Sequence, residues 1–212
     1  MGSLDFINEA DVKCSRSIHR LQLGIMEYIL VFFGFIFNQY LIWLVPFYIY
    51  KSCFDNNVPN EIIVRIDSSK QEETQVAAVM IIFYLVSVVF TVISTQSCKK
   101  IFGRVRPSMV NMNQKFNLRK LEGNCSMPSG DTAQAANWSV FMAVNFCIEN
   151  SFNQYLFLHA WVPIAFARIY FQCHWVSDTV VGAAIGIGVA SFCDLFKESI
   201  IQIIISTLDL LY

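Results

Sequence analysis

Long apolar runs separated by short polar, charged stretches set the pattern of this chain. Residues 28–50 are rich in Phe, Leu and Ile and are interrupted only by Asn38 and Gln39; further apolar runs cover 76–94, 133–148, 155–167 and 179–196. A helix that crosses a bilayer needs about 20 mostly apolar residues, and the pattern predicts five such spans. The tail 200–212 is apolar but short, and reads as a sixth span, a re-entrant piece or an interfacial helix. The predicted fold is therefore all-α: a polytopic membrane helical bundle of five to six transmembrane helices. No Pro/Ser-rich linker, low-complexity tract or repeat divides residues 1–212, which read as a single integral-membrane domain.

The polar stretches predict the rest of the organisation. Residues 1–26 form an extramembrane tail. Within it Leu4, Ile7, Val12, Ile18 and Leu21 recur with a weak helical period, as in an interfacial amphipathic helix or a solvated tail. The first apolar run is too long for a signal-peptide core and has no small-residue cleavage site beside it, so it reads as a retained anchor. Residues 51–74 make an extramembrane loop on one face. Residues 97–130, polar and basic, make a loop on the other.

Composition agrees: 55% of residues are apolar and 15% charged, against roughly 25% charged in a soluble domain. A formal net charge of −1 gives no basis for nucleic-acid binding. With five spans, one side collects Lys13, Arg16, Arg20, Lys99, Lys100, Arg104, Arg106, Lys115, Arg119, Lys120 and Arg168, which the positive-inside rule assigns to the cytosol. Several of these bases are also suited to holding an anion, so their vote on orientation is not independent. The location expected is the endoplasmic reticulum or another endomembrane. Seven cysteines, an odd number with no C-x-x-C pair, predict apolar fillers and free thiols. Asn124-Cys-Ser and Asn137-Trp-Ser match the glycosylation pattern, but the second falls inside a predicted helix and both read as chance.

Three segments carry candidate chemistry. Lys99-x6-Arg106-Pro107 offers a mobile point charge and a planar fork of donors to one anion; alone, it also reads as a positive stop at a membrane boundary. Pro128-Ser129-Gly130 precedes a predicted helix. Free N–H groups, a hydroxyl and an unhindered glycine there make an anion cradle, or simply an ordinary helix start. Asp131 falls in the first turn, where the helix dipole favours a carboxylate. Arg168-x5-His174-x3-Asp178 puts an arginine ahead of a histidine and a carboxylate four residues apart, on one helical face. The carboxylate is then expected to hold one imidazole nitrogen and free the other to attack. Ionisable groups at a membrane boundary are costly and usually functional. The conjunction of all three segments, on one predicted side, favours a phosphate-handling site.

Those three segments resemble the signature segments of the type 2 phosphatidic acid phosphatase (PAP2) superfamily, which includes lipid phosphate and lipid diphosphate phosphatases. The resemblance spans 99–178. It implies an all-helical bundle and a lipid phosphate or diphosphate as substrate. It casts His174 as the nucleophile of a phosphohistidine intermediate and Asp178 as its orienting partner, with Lys99, Arg106, Ser129, Gly130 and Arg168 holding the phosphoryl group. It implies no metal and no cofactor.

Two positions depart from the family pattern. Ala167 stands where a serine usually precedes the arginine, and Asp131 stands where a histidine normally protonates the leaving oxygen. A phosphate monoester leaving from a diphosphate needs little protonation, so Asp131 favours an isoprenoid or other lipid diphosphate over phosphatidate. The basic 97–130 loop loosely resembles the polyisoprenoid diphosphate phosphatase branch. The alternative is a weakened member that binds lipid phosphates or protein partners. Gly182, Gly186 and Ala190 recur every four residues, the spacing of a close helix–helix contact. The contact is expected within the bundle, with a homo-oligomer face as the alternative.

Overall fold

The computed structural model describes residues 3–37, 44–54, 73–109, 114–123, 125–147 and 151–209. They form helices with no strand among them; the nearest to a sheet is an isolated bridge between Val105 and Cys125. The helices are α1 (Ser3–His19), α2 (Met26–Phe35), α3 (Val45–Phe54), α4 (Glu73–Phe102), α5 (Gly130–Asn145), α6 (Phe152–Leu158), α7 (Trp161–Tyr170), α8 (Val176–Leu195) and α9 (Lys197–Asp209), with a 3₁₀ turn at Leu118–Leu121. Of the predicted loop 51–74, residues 51–54 belong to α3 and 73–74 to α4, while 55–72 lie outside the described residues, as does Asn124.

Among the described residues, two helices are long and apolar enough to cross a membrane, α4 over Thr74–Phe102 and α8. The sequence pattern predicts five to six spans, and the other described helices are shorter for local reasons. Pro46 falls in the first turn of α3 and Pro163 in the first turn of α7. Proline lacks the N–H that would continue a preceding helix. The run 28–50 thus contributes two ten-residue helices, and 155–167 is divided at His159–Ala160 between α6 and α7. Helix α5 has 16 residues, about 24 Å of rise against a hydrocarbon core of about 30 Å. The outer faces are nonetheless apolar: Ile29 and Phe32 on α2, Val89, Phe90 and Ile93 on α4, and Val180, Phe192 and Leu195 on α8 are exposed. Such a surface suits lipid better than water.

Helix α5 is the centre of the bundle and is buried on nearly every face. It packs most closely on α8, where Gly182 and Gly186 lie against the backbone of Ser129 and Ala133; a methyl group at Gly182 would come within 2.5 Å of the Ser129 carbonyl oxygen. The small-residue stripe therefore serves packing within the chain. On its other side α5 meets α4 through a polar layer. Ser87 donates to Asn137 Oδ1 (3.1 Å) and the Asn137 amide donates to Thr91 (2.7 Å). The Asn137 side chain is enclosed by this layer, so the asparagine is no glycan acceptor in this fold.

Two apolar clusters flank that axis. The larger joins α3, α4, α5 and α9 around Ile49, Met80, Phe83, Tyr84, Phe141 and Ile201. The tail 200–212 thus contributes to α9 and packs into the core through Ile201 and Ile204 as far as it is described. The smaller joins α2, α7 and the 3₁₀ turn around Leu30, Leu118, Ala167, Tyr170 and Phe171. Helix α1 is neither a solvated tail nor an isolated interfacial helix. Its Ser15 and His19 are buried, and the helix rests on α7 and α8.

Candidate active site

Each of the three chemistry-bearing segments begins where a helix ends or starts. Helix α4 stops at Gly103, whose φ of +54° is a left-handed conformation that glycine adopts without penalty; its N–H closes on the Lys99 carbonyl (3.1 Å). The chain then runs through Arg104, Val105 and Arg106, held to the 125–126 strip by the Ser126 N–H donating to the Arg104 carbonyl (2.8 Å). Ser129 caps α5, accepting the Thr132 N–H at 3.4 Å, and its own N–H donates to the Asp178 carbonyl (2.9 Å). Helix α7 ends at a left-handed Gln172 (φ 56°), and the N–H groups of Cys173 and His174 both donate to the Arg168 carbonyl. These turns bring Arg168, His174, Arg106 and the start of α5 into one cup.

His174 forms the floor and is almost wholly buried. Its Nδ1 lies 2.7 Å from the Ser126 carbonyl oxygen. A carbonyl only accepts, so Nδ1 carries the proton and Nε2 presents its lone pair. Nε2 faces the Arg106 Nη1 at 3.0 Å, inside the cup. Asp178 Oδ2 is 3.6 Å from Nδ1, near enough for electrostatic contact; the shorter bond is to Ser126. The expectation that Asp178 alone aims the ring is therefore modified: a backbone carbonyl does so, with the carboxylate behind it. Burial, with Arg106 and Arg168 adding to it and Asp178 opposing, holds the His174 pKa down to about 4. The imidazole is neutral at pH 7.

Two arginines line the wall. Arg106 donates through Nε to the Gly123 carbonyl (2.7 Å) and through Nη1 to the Cys173 carbonyl (2.7 Å). Arg168 donates to the Gly34 carbonyl of α2 (3.1 Å) and pairs with Asp131 Oδ2 at 2.9 Å. Both guanidinium groups also grip Glu122: Arg106 at 2.9 Å from Oε2, and Arg168 in a short contact with Oε1. Lys99, at the end of α4, lies within electrostatic reach of Arg106, Glu122, Asp131 and Arg168. The space in front of Gly130 is open, so the start of α5 is unobstructed. Ser129 is buried and its hydroxyl is shared with Thr132 (2.9 Å), which turns it toward capping.

The sequence-predicted residues thus converge, and the fold adds partners that the motifs do not contain. Arg104 bridges Asp178 Oδ1 (2.9 Å) and Asp11 Oδ2 (2.6 Å) and lies over the Trp175 ring, 5.4 Å from its centre. Asp178 Oδ2 also accepts the Trp175 N–H (2.8 Å). Helix α1 completes the arrangement by capping α8 from outside: the Ser177 N–H donates to Asp11 Oδ1 (2.9 Å) and the Val176 N–H to Ser15 Oγ (3.0 Å). Sequence reasoning missed Glu122, Arg104, Ser126 and Asp11. For Glu122 a signal existed, since it is the sole acidic residue between Lys99 and Gly130, in a stretch dominated by lysine and arginine. For Asp11, 166 residues from the Ser177 that it caps, there was none.

Comparison with known proteins bears on the fold and the family of the chain. Among solved structures, the chain is similar to the first transmembrane PAP2 type phosphatidylglycerolphosphate phosphatase from Bacillus subtilis, with TM-score 0.64 and 16% identity over 91% of this chain and 87% of that one. It is also similar to Aquifex aeolicus LpxE, with TM-score 0.59 and 16% identity over 86% of this chain and 93% of that one. At such identities the likeness is one of fold. No curated protein matches the chain. The model of the PAP2 superfamily matches residues 80–199, which include every predicted site residue, and the chain belongs to that superfamily.

Proposed function

We propose that this member of the PAP2 superfamily is a multi-pass membrane phosphatase that removes phosphate from a lipid phosphomonoester or lipid diphosphate, an isoprenoid diphosphate by preference. The observation that carries the reading is the aim of His174. Its Nδ1–H is tied to Ser126, so its Nε2 lone pair faces the Arg106 fork, 3.0 Å away, in the buried cup that Arg168 also lines. A neutral imidazole so placed is a nucleophile for phosphorus, and the convergent cations suit the equatorial oxygens of the transferring group.

The chemistry has two steps. Nε2 attacks phosphorus in line, forming the N–P bond as the bond to the leaving oxygen breaks; the imidazole becomes a cation, which the Asp178 carboxylate stabilises across 3.6 Å. Water then attacks the phosphohistidine, the N–P bond breaks, and inorganic phosphate departs. Arg106, Arg168 and Lys99 offset the negative charge throughout. Asp131 is the acid available for the leaving oxygen. Ahead of the apolar part of α5, it is pushed above the ordinary carboxylate range by burial, with Arg168 opposing. A carboxyl engaged by an arginine is a modest acid, which is why a diphosphate, whose leaving group needs little protonation, suits this site.

The same reading carries five to six spans, an endomembrane location such as the endoplasmic reticulum, and turnover without a metal or cofactor. The alternative, a weakened member that only binds lipid phosphates, draws on the Asp131–Arg168 pair replacing a histidine. One assay separates them: phosphate release by purified protein from phosphatidate, a sphingoid-base phosphate and isoprenyl diphosphates, with a chelator present. The expected result is fastest release from an isoprenyl diphosphate and none from His174→Ala. Equal residual release by His174→Ala refutes the nucleophile, and fastest release from phosphatidate refutes the substrate preference.

A further inference from the structure

The phosphate cup already contains an anion. Glu122, in extended conformation just after the 3₁₀ turn, sends its carboxylate between Arg106 and Arg168, one oxygen to each. Both arginines are nearly inaccessible, while the Glu122 side chain keeps 13% of its exposure, so it enters from the open side. A carboxylate bridging two guanidinium groups makes the same charge-assisted contacts that two phosphoryl oxygens would make. Burial would raise its pKa, yet Arg168 and Arg106 together hold it below the ordinary carboxylate range. Glu122 is therefore an anion at pH 7, seated where a phosphoryl group must sit.

Charge balance sharpens the point. Three cations (Lys99, Arg106 and Arg168) face Glu122, an anion, and Asp131, whose carboxyl burial pushes toward its protonated form. Turning Glu122 out therefore adds one uncompensated positive charge to a cup that is already net positive, which suits a phosphate monoester dianion. A phosphodiester monoanion carries no more charge than the carboxylate it would displace and gains nothing by the exchange, whereas a dianion does. Leaving requires no helix to move, because Glu122 follows the 3₁₀ turn in extended conformation and its partly exposed side chain need only rotate out of the cup.

We propose that Glu122 is the resident counter-anion of the cup, a specificity-determining residue that an incoming phosphoryl group must displace. This rests on the proposed phosphatase reading for its substrate class but not for its binding chemistry. Displacement sets the affinity of the site, admits terminal phosphoryl dianions in preference to phosphodiesters, and helps expel product phosphate when the carboxylate returns.

The test is equilibrium binding of inorganic phosphate, and separately of dimethyl phosphate, to the detergent-purified full chain at pH 8, followed by calorimetry. Glu122→Gln keeps the shape and removes the charge. It is expected to bind phosphate at least about tenfold more tightly than the unaltered protein, the lower end of coupling between close charge pairs. It should also gain measurable affinity for dimethyl phosphate, which has no excess charge with which to displace the carboxylate of the unaltered protein. Glu122→Asp, too short to bridge both arginines, should fall between the two and decides the matter if the glutamine variant does not fold. Unchanged or weaker phosphate binding in the folded variant overturns the proposal. Binding needs no turnover, so its outcome is independent of lipid phosphate release, whose absence would defeat the enzymatic reading alone.

Discussion

Replacing Arg168 by lysine tests whether a fork, rather than a positive charge, is what the cup requires. Arg168 has three partners on three different elements: the Gly34 carbonyl, the Asp131 carboxylate and the Glu122 carboxylate. Its Nη1 spans the first two while Nη2 takes the third, an arrangement made by one rigid plane. A lysine ammonium is a point charge and cannot reproduce that geometry, whichever partner it keeps. If a transferring phosphoryl group takes the place of Glu122, the variant loses the charge-assisted hydrogen bond from Nη2. At roughly 1.5–3 kcal/mol for such a bond, the loss is on the order of 10–10² in kcat/KM. The assay is steady-state phosphate release from an isoprenyl diphosphate in mixed micelles, with thermal unfolding measured alongside because Arg168 also ties α7 to α2. Catalytic efficiency within about threefold of the unaltered enzyme, at equal stability, would refute the clamp.

Two further perturbations probe the surroundings of the nucleophile. Asp11→Asn keeps an oxygen for the Ser177 N–H but removes the ion pair with Arg104; Arg104 is then free to draw Asp178 toward itself. As a positioning residue Asp11 should lower kcat about tenfold with KM unchanged; full retention of kcat would show that the network does not reach His174. The second concerns acid stability. His174 and His19 both have pKa values held down to about 4, chiefly by burial, against about 6.5 when unfolded. The unfolded chain thus binds more protons between those values, so their stabilising contribution is full above about pH 6.5 and is lost as pH falls toward 4. The melting temperature should drop between pH 7.5 and 5, and His19→Gln should flatten part of that slope. A melting temperature independent of pH over that range would contradict the burial of both rings.

What the sequence disclosed, and what it withheld, follows from the range of the forces involved. Motif spacing discloses groups that the fold brings together: Lys99, Arg106, Arg168 and His174 all converge on one cup. Apolar periodicity discloses helices but not their lengths. Hydropathy averages over Pro46 and Pro163, whereas a helix running on through either position would need the N–H that proline lacks. The pattern is silent on contacts between a side chain and a distant backbone group. Ser126, whose carbonyl fixes the His174 tautomer, contributes nothing that depends on its side-chain type. A helical i,i+4 pair was the natural inference for His174 and Asp178, yet α8 begins only at Val176, so the histidine precedes the helix and its ring turns to the 126 carbonyl. Asp178 is thereby released to hold Arg104 and the Trp175 N–H. The carboxylate is then fixed before any substrate arrives, by a guanidinium that Asp11 of α1 fixes in turn. Preorganisation of the cup thus extends from the signature segments to a helix that carries none of their residues, and the cost of disturbing it should appear in the rate before it appears in the fold.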